Sequence, residues 1–180
     1  MHARELILAA SVIAALLGVP GTVAAQCARN AFLSIGSSAV ATAAGQAPER
    51  PQTAPSAGDW SVRLTEAQIL ALPVTTIVTA TEWTPISRFE GPLLSDVLDL
   101  AGARGKTLNV FALNNYAVTI PWSDLIRYAP ILAHTQDGAR MKRNRFGPLF
   151  IVYPRDQYPA LQAPSMMARM AWQVCRIDVE

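Results

Sequence analysis

Apolar and polar positions from Trp60 to the C-terminus recur at the spacings of short strands and a few helices. Trp60 to Leu64 alternates, as a strand with one wet face does. Thr65 to Leu72 reads as a helix: Thr65 stands as N-cap, Gln68 completes a capping box, and Pro73 stops the run. Val74 to Thr81 is β-branched at every position except Ala80, which favours a strand. Gly91-Pro92 marks a turn. Beyond it Leu94, Val97, Leu98 and Ala101 share one face of a helix over 93–101, and Gly102 is placed to end it in a left-handed conformation. Strands over 108–113 and 117–120 flank Asn114-Asn115-Tyr116, a turn in which asparagine tolerates positive φ. Ser123 is expected to cap a short helix over 124–128. Strands follow at 131–135, before the tight turn Asp137-Gly138, at 149–153 after Gly147-Pro148, and at 170–179. Many short strands, a few helices and no internal repeat predict an α+β fold on a mixed β-sheet.

The N-terminal third follows other rules. His2 and Arg4 precede a mostly apolar run, Leu6 to Val19, which Pro20-Gly21 breaks; Val23-Ala24-Ala25 then supplies small residues suited to signal peptidase. These parts predict a signal peptide over 1–25. The run is short for a membrane span, and the competing reading is an uncleaved anchor helix. Residues 26–57, rich in Ala, Ser, Gln, Pro and Gly, read as a flexible linker, and the folded domain is expected over 58–180. Ala31 to Ala44 is apolar enough to act as a second, weaker export core, so cleavage after Ala25 and cleavage near Ala44 both stand. Ala24-Ala25-Gln26-Cys27 superficially resembles a lipoprotein site, but Gln26 fits it poorly. The expected location is the periplasm or the outside, with no stable membrane span once the signal is removed.

Composition narrows the function classes. A chain of 180 residues supports one domain with a real core, and a net charge of +2 gives no reason to expect nucleic-acid binding. There is no Gly-x-Ser-x-Gly elbow, dinucleotide fingerprint or phosphate loop. Beyond the leader, His134 is the one histidine, so no metal-ligand set is expected. Cys27 and Cys175 are able to pair in an oxidising compartment. Cys175 lies in an alternating stretch, however, and is expected to be a small apolar core residue.

The candidate polar sites are few. Arg140, Lys142, Arg143 and Arg145 concentrate positive charge after Asp137-Gly138. They suit a phosphate or carboxylate, or equally a hairpin edge protected against strand pairing. His134 is a proton donor or acceptor, or a hydrogen-bonded strand end. Asn114, Asn115 and Tyr116 line a pocket mouth or simply form a turn. Glu82, beside Trp83, is placed to accept from a ligand or from Arg88. Arg155 and Asp156 follow a buried strand and feed a site or form a surface pair. The tryptophans at 60, 83, 122 and 172 are expected in the core or a pocket wall.

Four elements, in order, carry a family resemblance: Arg88-Phe89-Glu90-Gly91 before Leu94-Ser95-Asp96-Val97-Leu98; Ala112-Leu113-Asn114-Asn115-Tyr116 before Ile120-Pro121; Asp137-Gly138 before Gly147-Pro148-Leu149; and Trp172-Gln173 before the closing strand. From about Trp60 onward the chain resembles the molybdopterin-binding oxidoreductase domain family, the sulfite-oxidase-like fold. The resemblance implies a cofactor pocket built from Thr81, Trp83, Arg88, Asn115, Tyr116, His134, Arg140, Lys142, Arg143 and Arg145. Catalytic members end the strand before the Phe-x-Gly element in a molybdenum-ligating cysteine; the matching positions here are Ala80 and Thr81, and a hydroxyl is no substitute for a soft thiolate. Members that carry the cofactor are typically exported folded by the twin-arginine route, and this leader has no arginine pair. Both features disfavour molybdopterin, leaving the cofactor unknown. The expected function is an exported, non-catalytic domain that binds a small anionic ligand or a membrane signalling or redox partner. The alternatives are a molybdopterin-dependent oxidoreductase with atypical metal ligation, and an interaction module whose pocket is closed by Trp83, Tyr116 or Arg88.

Overall fold

The computed structural model describes Cys27, residues 31–37 and residues 61–180. Trp60, the leader and the rest of the expected linker lie outside the described residues.

Part of the stretch expected to be linker is a strand. Leu33–Ser37 (β1) runs parallel to Val174–Val179 (β11) and antiparallel to Ser61–Leu64 (β2). Thr107–Ala112 (β5) and Ala117–Pro121 (β6) complete a mixed sheet in the order β2-β1-β11-β5-β6. Leu33 and Ile35 of β1 are fully buried. Burying two such side chains is worth about 3–6 kcal/mol against leaving them wet. Five residues of alternating pattern are hard to see inside an Ala- and Ser-rich background, which is why composition pointed to a linker. The folded domain therefore includes Leu33–Ser37 as well as the residues from Ser61 on. Cys175 is not a free core thiol: it is bonded to Cys27, at a sequence separation of 148. A loop that long loses about 5 kcal/mol of unfolded-state entropy in the chain-entropy limit.

A second sheet is wholly antiparallel. Thr75–Thr79 (β3), Ser87–Gly91 (β4), Thr135–Gln136 (β8) and Ala139–Arg140 (β9) lie in the order β3-β4-β8-β9. Asp137 (φ 50°) and Gly138 (φ 77°) form the tight β8–β9 turn, and β9 is an edge strand. Ile131–Ala133 (β7) pairs with Phe150–Val152 (β10). The β7 strand leads into β8, which pairs with β4; Leu132 N–H to Pro92 O and His134 N–H to Glu90 O carry the contact back along β7.

The helices mostly follow the sequence pattern. Glu66–Leu70 (α1) starts from Thr65 with both halves of the capping box made. In Leu94–Leu100 (α2), Leu94, Val97 and Leu98 are buried as expected. Gly102 and Ala103 N–H groups return to Asp99 and Leu98 carbonyls, the Schellman pairing. Ser123–Tyr128 (α3) differs: Trp122 occupies the N-cap and Ser123 makes no side-chain cap. The closing strand starts at Val174 rather than Met170, because Gln173 takes a left-handed φ of 59°. Pro164–Met167 (α4) packs before it. Buried Asp124 of α3 accepts from Tyr153 Oη at 3.0 Å and Arg169 Nη1 at 2.7 Å, tying α3 to the segment after α4. Burial and the Asp124 carboxylate push the Tyr153 phenol far up, so it stays a donor. No helix among the described residues is long and apolar enough to cross a membrane.

His134 marks the break between β7 and β8. It is 7 % exposed; Nδ1 meets Thr135 Oγ1 at 2.9 Å and buried Nε2 has no partner. Burial and Arg140 lower its pKa below 6.5, against smaller raising effects of Glu90 and Glu66. The unfolded chain thus binds this proton more readily than the folded one.

Two outcomes follow for urea unfolding. Removal of residues 1–44 deletes β1 and Cys27 and should abolish the cooperative transition, whereas Ile35→Ala in the intact chain should cost about 2–4 kcal/mol. The His134 contribution is fully present above the unfolded pKa of 6.5 and is lost as pH falls towards the lower folded value. Between about pH 7.5 and 5.5, His134→Gln should therefore lose less stability than the parent; an equal loss would show that this imidazole plays no part.

Candidate functional site

The loop after β3 fixes the first site. Ala80 N–H donates to Asp156 Oδ2 at 3.1 Å, and Thr81 N–H donates to Thr84 O at 3.1 Å. Buried Thr81 Oγ1 meets Thr84 Oγ1 at 2.8 Å and accepts from the N–H groups of Trp83 (3.1 Å) and Thr84 (3.0 Å). The hydroxyl thereby closes a tight turn. Glu82 and Trp83 are turned outward to a cavity of about 340 Å³. Its walls are mainly Trp83, Trp172, Tyr116, Met167 and Met170, with Asn114 at the side. Trp83 and Trp172 meet at 6.4 Å between ring centres and 70° between planes. Tyr116 Oη donates to Ala168 O at 2.7 Å, joining the β5–β6 turn to the end of α4. Partial burial and the nearby Glu82 carboxylate raise the Tyr116 pKa, so the phenol stays neutral and donating. Among the described residues, Glu82 is the one charged side chain on this wall.

The second site gathers the cations. Gln136, Asp137, Arg140, Lys142, Arg145 and Phe146 border an open cavity of about 400 Å³. Its loop is braced. Met141 N–H reaches His134 O, and the Arg145 and Gly147 N–H groups both reach Lys142 O, each at 3.0 Å. Gln173 Nε2 donates to the carbonyls of Arg143 and Arg145, and Gln173 N–H to Phe146 O. A Cβ on Gly147 would collide with the Met141 carbonyl, so only glycine closes this turn. Arg140 pairs with Glu66, and Asp137 Oδ1 accepts from the Arg88 N–H at 2.8 Å. Lys142 and Arg145 face the cavity without an ion pair among the described residues.

The expected site residues are thus divided. Trp83 and Tyr116 meet at the aromatic cavity, beside the turn that Thr81 closes; Arg140, Lys142 and Arg145 meet at the basic one. Arg143 contributes its carbonyl, and Asn115 (φ 66°) forms the apex of its turn. His134 borders neither cavity. Arg88 lies on the outer face of β4, bound to Glu90 at 2.9 Å and Thr76 at 3.3 Å rather than to Glu82. Asp156 pins the Ala80 N–H instead of pairing with Arg155. Met167 and Met170 also line the aromatic cavity, and no spacing signal in the sequence brings them to Trp83.

The molybdenum of a molybdopterin finds no matching ligand at the aromatic cavity. Thr81 is neutral and fully engaged, both cysteines share a disulfide, and Glu82 would repel a pterin phosphate. Among the described residues no three His, Cys, Asp or Glu side chains gather as a metal set.

Comparison with known proteins adds the fold. No family profile matches this chain, and neither does any curated protein sequence. Among solved structures, the sulfane dehydrogenase SoxCD from Paracoccus pantotrophus is similar at a TM-score of 0.50 and 17% identity. The match covers 66% of this chain and 35% of that one, so this chain spans about a third of its length. The α+β architecture, with one mixed sheet, two antiparallel ones and a few short helices, is distantly similar in fold to that structure.

Proposed function

We propose that this chain is an exported, non-catalytic domain of the sulfite-oxidase-like fold that binds a small oxyanion at the basic cavity. The observation that carries the reading is the braced loop that presents Lys142 and Arg145 beside Arg140. A braced backbone leaves only the side chains to be ordered when an anion arrives, a smaller cost than ordering a mobile hairpin as well. Arg140, on the edge strand and paired with Glu66, also protects that edge. A non-catalytic role is supported by Ala80 and Thr81 at the positions where the resemblance implies a thiolate. Export is supported by the leader pattern and by the Cys27–Cys175 disulfide, which suits an oxidising compartment. Cleavage after Ala25 would keep Cys27 and β1. A membrane signalling or redox protein is the partner such a domain would report to.

The second reading, a molybdopterin oxidoreductase with atypical ligation, draws on the likeness to a dehydrogenase. Elemental analysis and pterin fluorescence separate the two. Protein made with its own leader in molybdenum-replete cells should contain neither molybdenum nor pterin; one metal per chain would establish the second reading instead. Calorimetry with inorganic phosphate and sulfate tests the anion directly. Lys142→Gln with Arg145→Gln should weaken binding about tenfold or more, and added salt should weaken the parent. Equal binding by parent and double variant would exclude this cavity.

A further inference from the structure

The aromatic cavity has the wrong charge for an anion and lies outside the oxyanion reading. We propose that it is a separate site for a small organic cation of the quaternary ammonium class, held by Trp83, Trp172 and Tyr116 with Glu82 as counter-charge.

Three observations support it. First, the walls are electron-rich. Two indoles set at 70° make a corner, and Tyr116 adds a third aromatic surface. Ring faces attract a cation whose charge is spread over methyl groups, and indole does so best. Second, the aromatics are available. Trp83 is 42 % and Tyr116 40 % exposed, unusual for large rings in a chain that buries Phe89, Phe150 and Tyr153 almost completely. Third, the walls are held in place before any ligand arrives. Trp83 packs against Phe150 at 6.1 Å, Trp172 packs edge-on against Phe146 at 5.9 Å, and Tyr116 is tethered to Ala168. The Asp124–Arg169 pair anchors the segment carrying Ala168 and Met170. A volume of about 340 Å³ admits a trimethylammonium head with a short tail.

Charge selects among the possible occupants. A purely apolar ligand would fit the rings and the two methionines but would leave Glu82 desolvated without return. An anion would meet repulsion from the same carboxylate. A quaternary ammonium satisfies both the ring faces and Glu82, and it needs no hydrogen-bond acceptor from the protein, which suits a wall of indoles and thioethers.

The test uses the full chain, tryptophan fluorescence and calorimetry, with choline and its neutral isostere 3,3-dimethylbutan-1-ol as probes. Choline should bind and perturb the fluorescence, and the isostere should bind at least about tenfold more weakly. Glu82→Gln, an exposed change outside the core, should weaken choline about fivefold and leave the isostere unchanged. Trp83→Leu should abolish choline binding, with a thermal melt to confirm folding. Comparable affinity for both probes would overturn the proposal in favour of a plain apolar pocket. No response to choline up to about 100 mM would also overturn it, as would an unaffected Glu82→Gln. Because Lys142 and Arg145 do not border this cavity, their replacement should leave choline binding intact, and failure of either site leaves the other standing.

Discussion

The mixed sheet, the β7–β10 ribbon and both cavities meet at one backbone constraint, the left-handed conformation of Gln173. It lets the chain change partners within three residues. Trp172 bridges to Phe150, Gln173 N–H binds Phe146 O while its carbonyl accepts from Leu113, and Val174 binds Leu149 O and opens the ladder with β5. A non-glycine residue in that region costs on the order of 1–2 kcal/mol. Glycine would avoid the cost but would lack the side-chain amide that clamps the carbonyls of Arg143 and Arg145. The strain is offset by hydrogen bonds that only this residue type, at this turn, can make. One residue thus joins the β10 ribbon to the mixed sheet, braces the basic loop and sets the angle of the Trp172 wall.

Much of this architecture is legible in the residues, because local chemistry decides it. The capping box at Thr65 and Gln68, the left-handed Gly102 and Asn115, and the Asp137-Gly138 hairpin all act within a few residues, and all form. What local pattern does not reveal is which segments meet. β1 is five residues long, and its meaning comes from a parallel neighbour far along the chain. The Cys27–Cys175 bond has the same origin: Cys175 does sit in an alternating strand, but its partner arrives only because β1 lies beside β11. The closing strand, too, is shorter than its alternation predicts, since the turn at Gln173 is imposed by tertiary partners and not by glycine or proline.

The candidate site was legible as a set of residue types and not as an arrangement. The family resemblance implies one pocket. The structure sorts its residues by charge into two, separated by the Phe146–Trp172 contact. Arg88 is the clearest case. As a cation next to the Phe-Glu-Gly element it suits an anion pocket, but strand alternation sends Phe89 inward and Arg88 outward, where Glu90 and Thr76 occupy it. Met167 and Met170 follow the opposite route, brought to Trp83 by the turn after α4.

Thr81 makes the final link between this chain's local chemistry and its proposed function. A thiolate ligand must present a free, soft anion to the cavity. The Thr81 hydroxyl turns inward, accepting two backbone N–H groups and hydrogen-bonding to the Thr84 hydroxyl. A cysteine at Thr81 would leave the Trp83 and Thr84 N–H groups with a weak sulfur acceptor in place of the hydroxyl. The turn that presents Trp83 to the cavity and a metal-binding thiolate are therefore alternatives at one position. In this chain the turn is what the residues build, and the aromatic corner with its single carboxylate is its consequence.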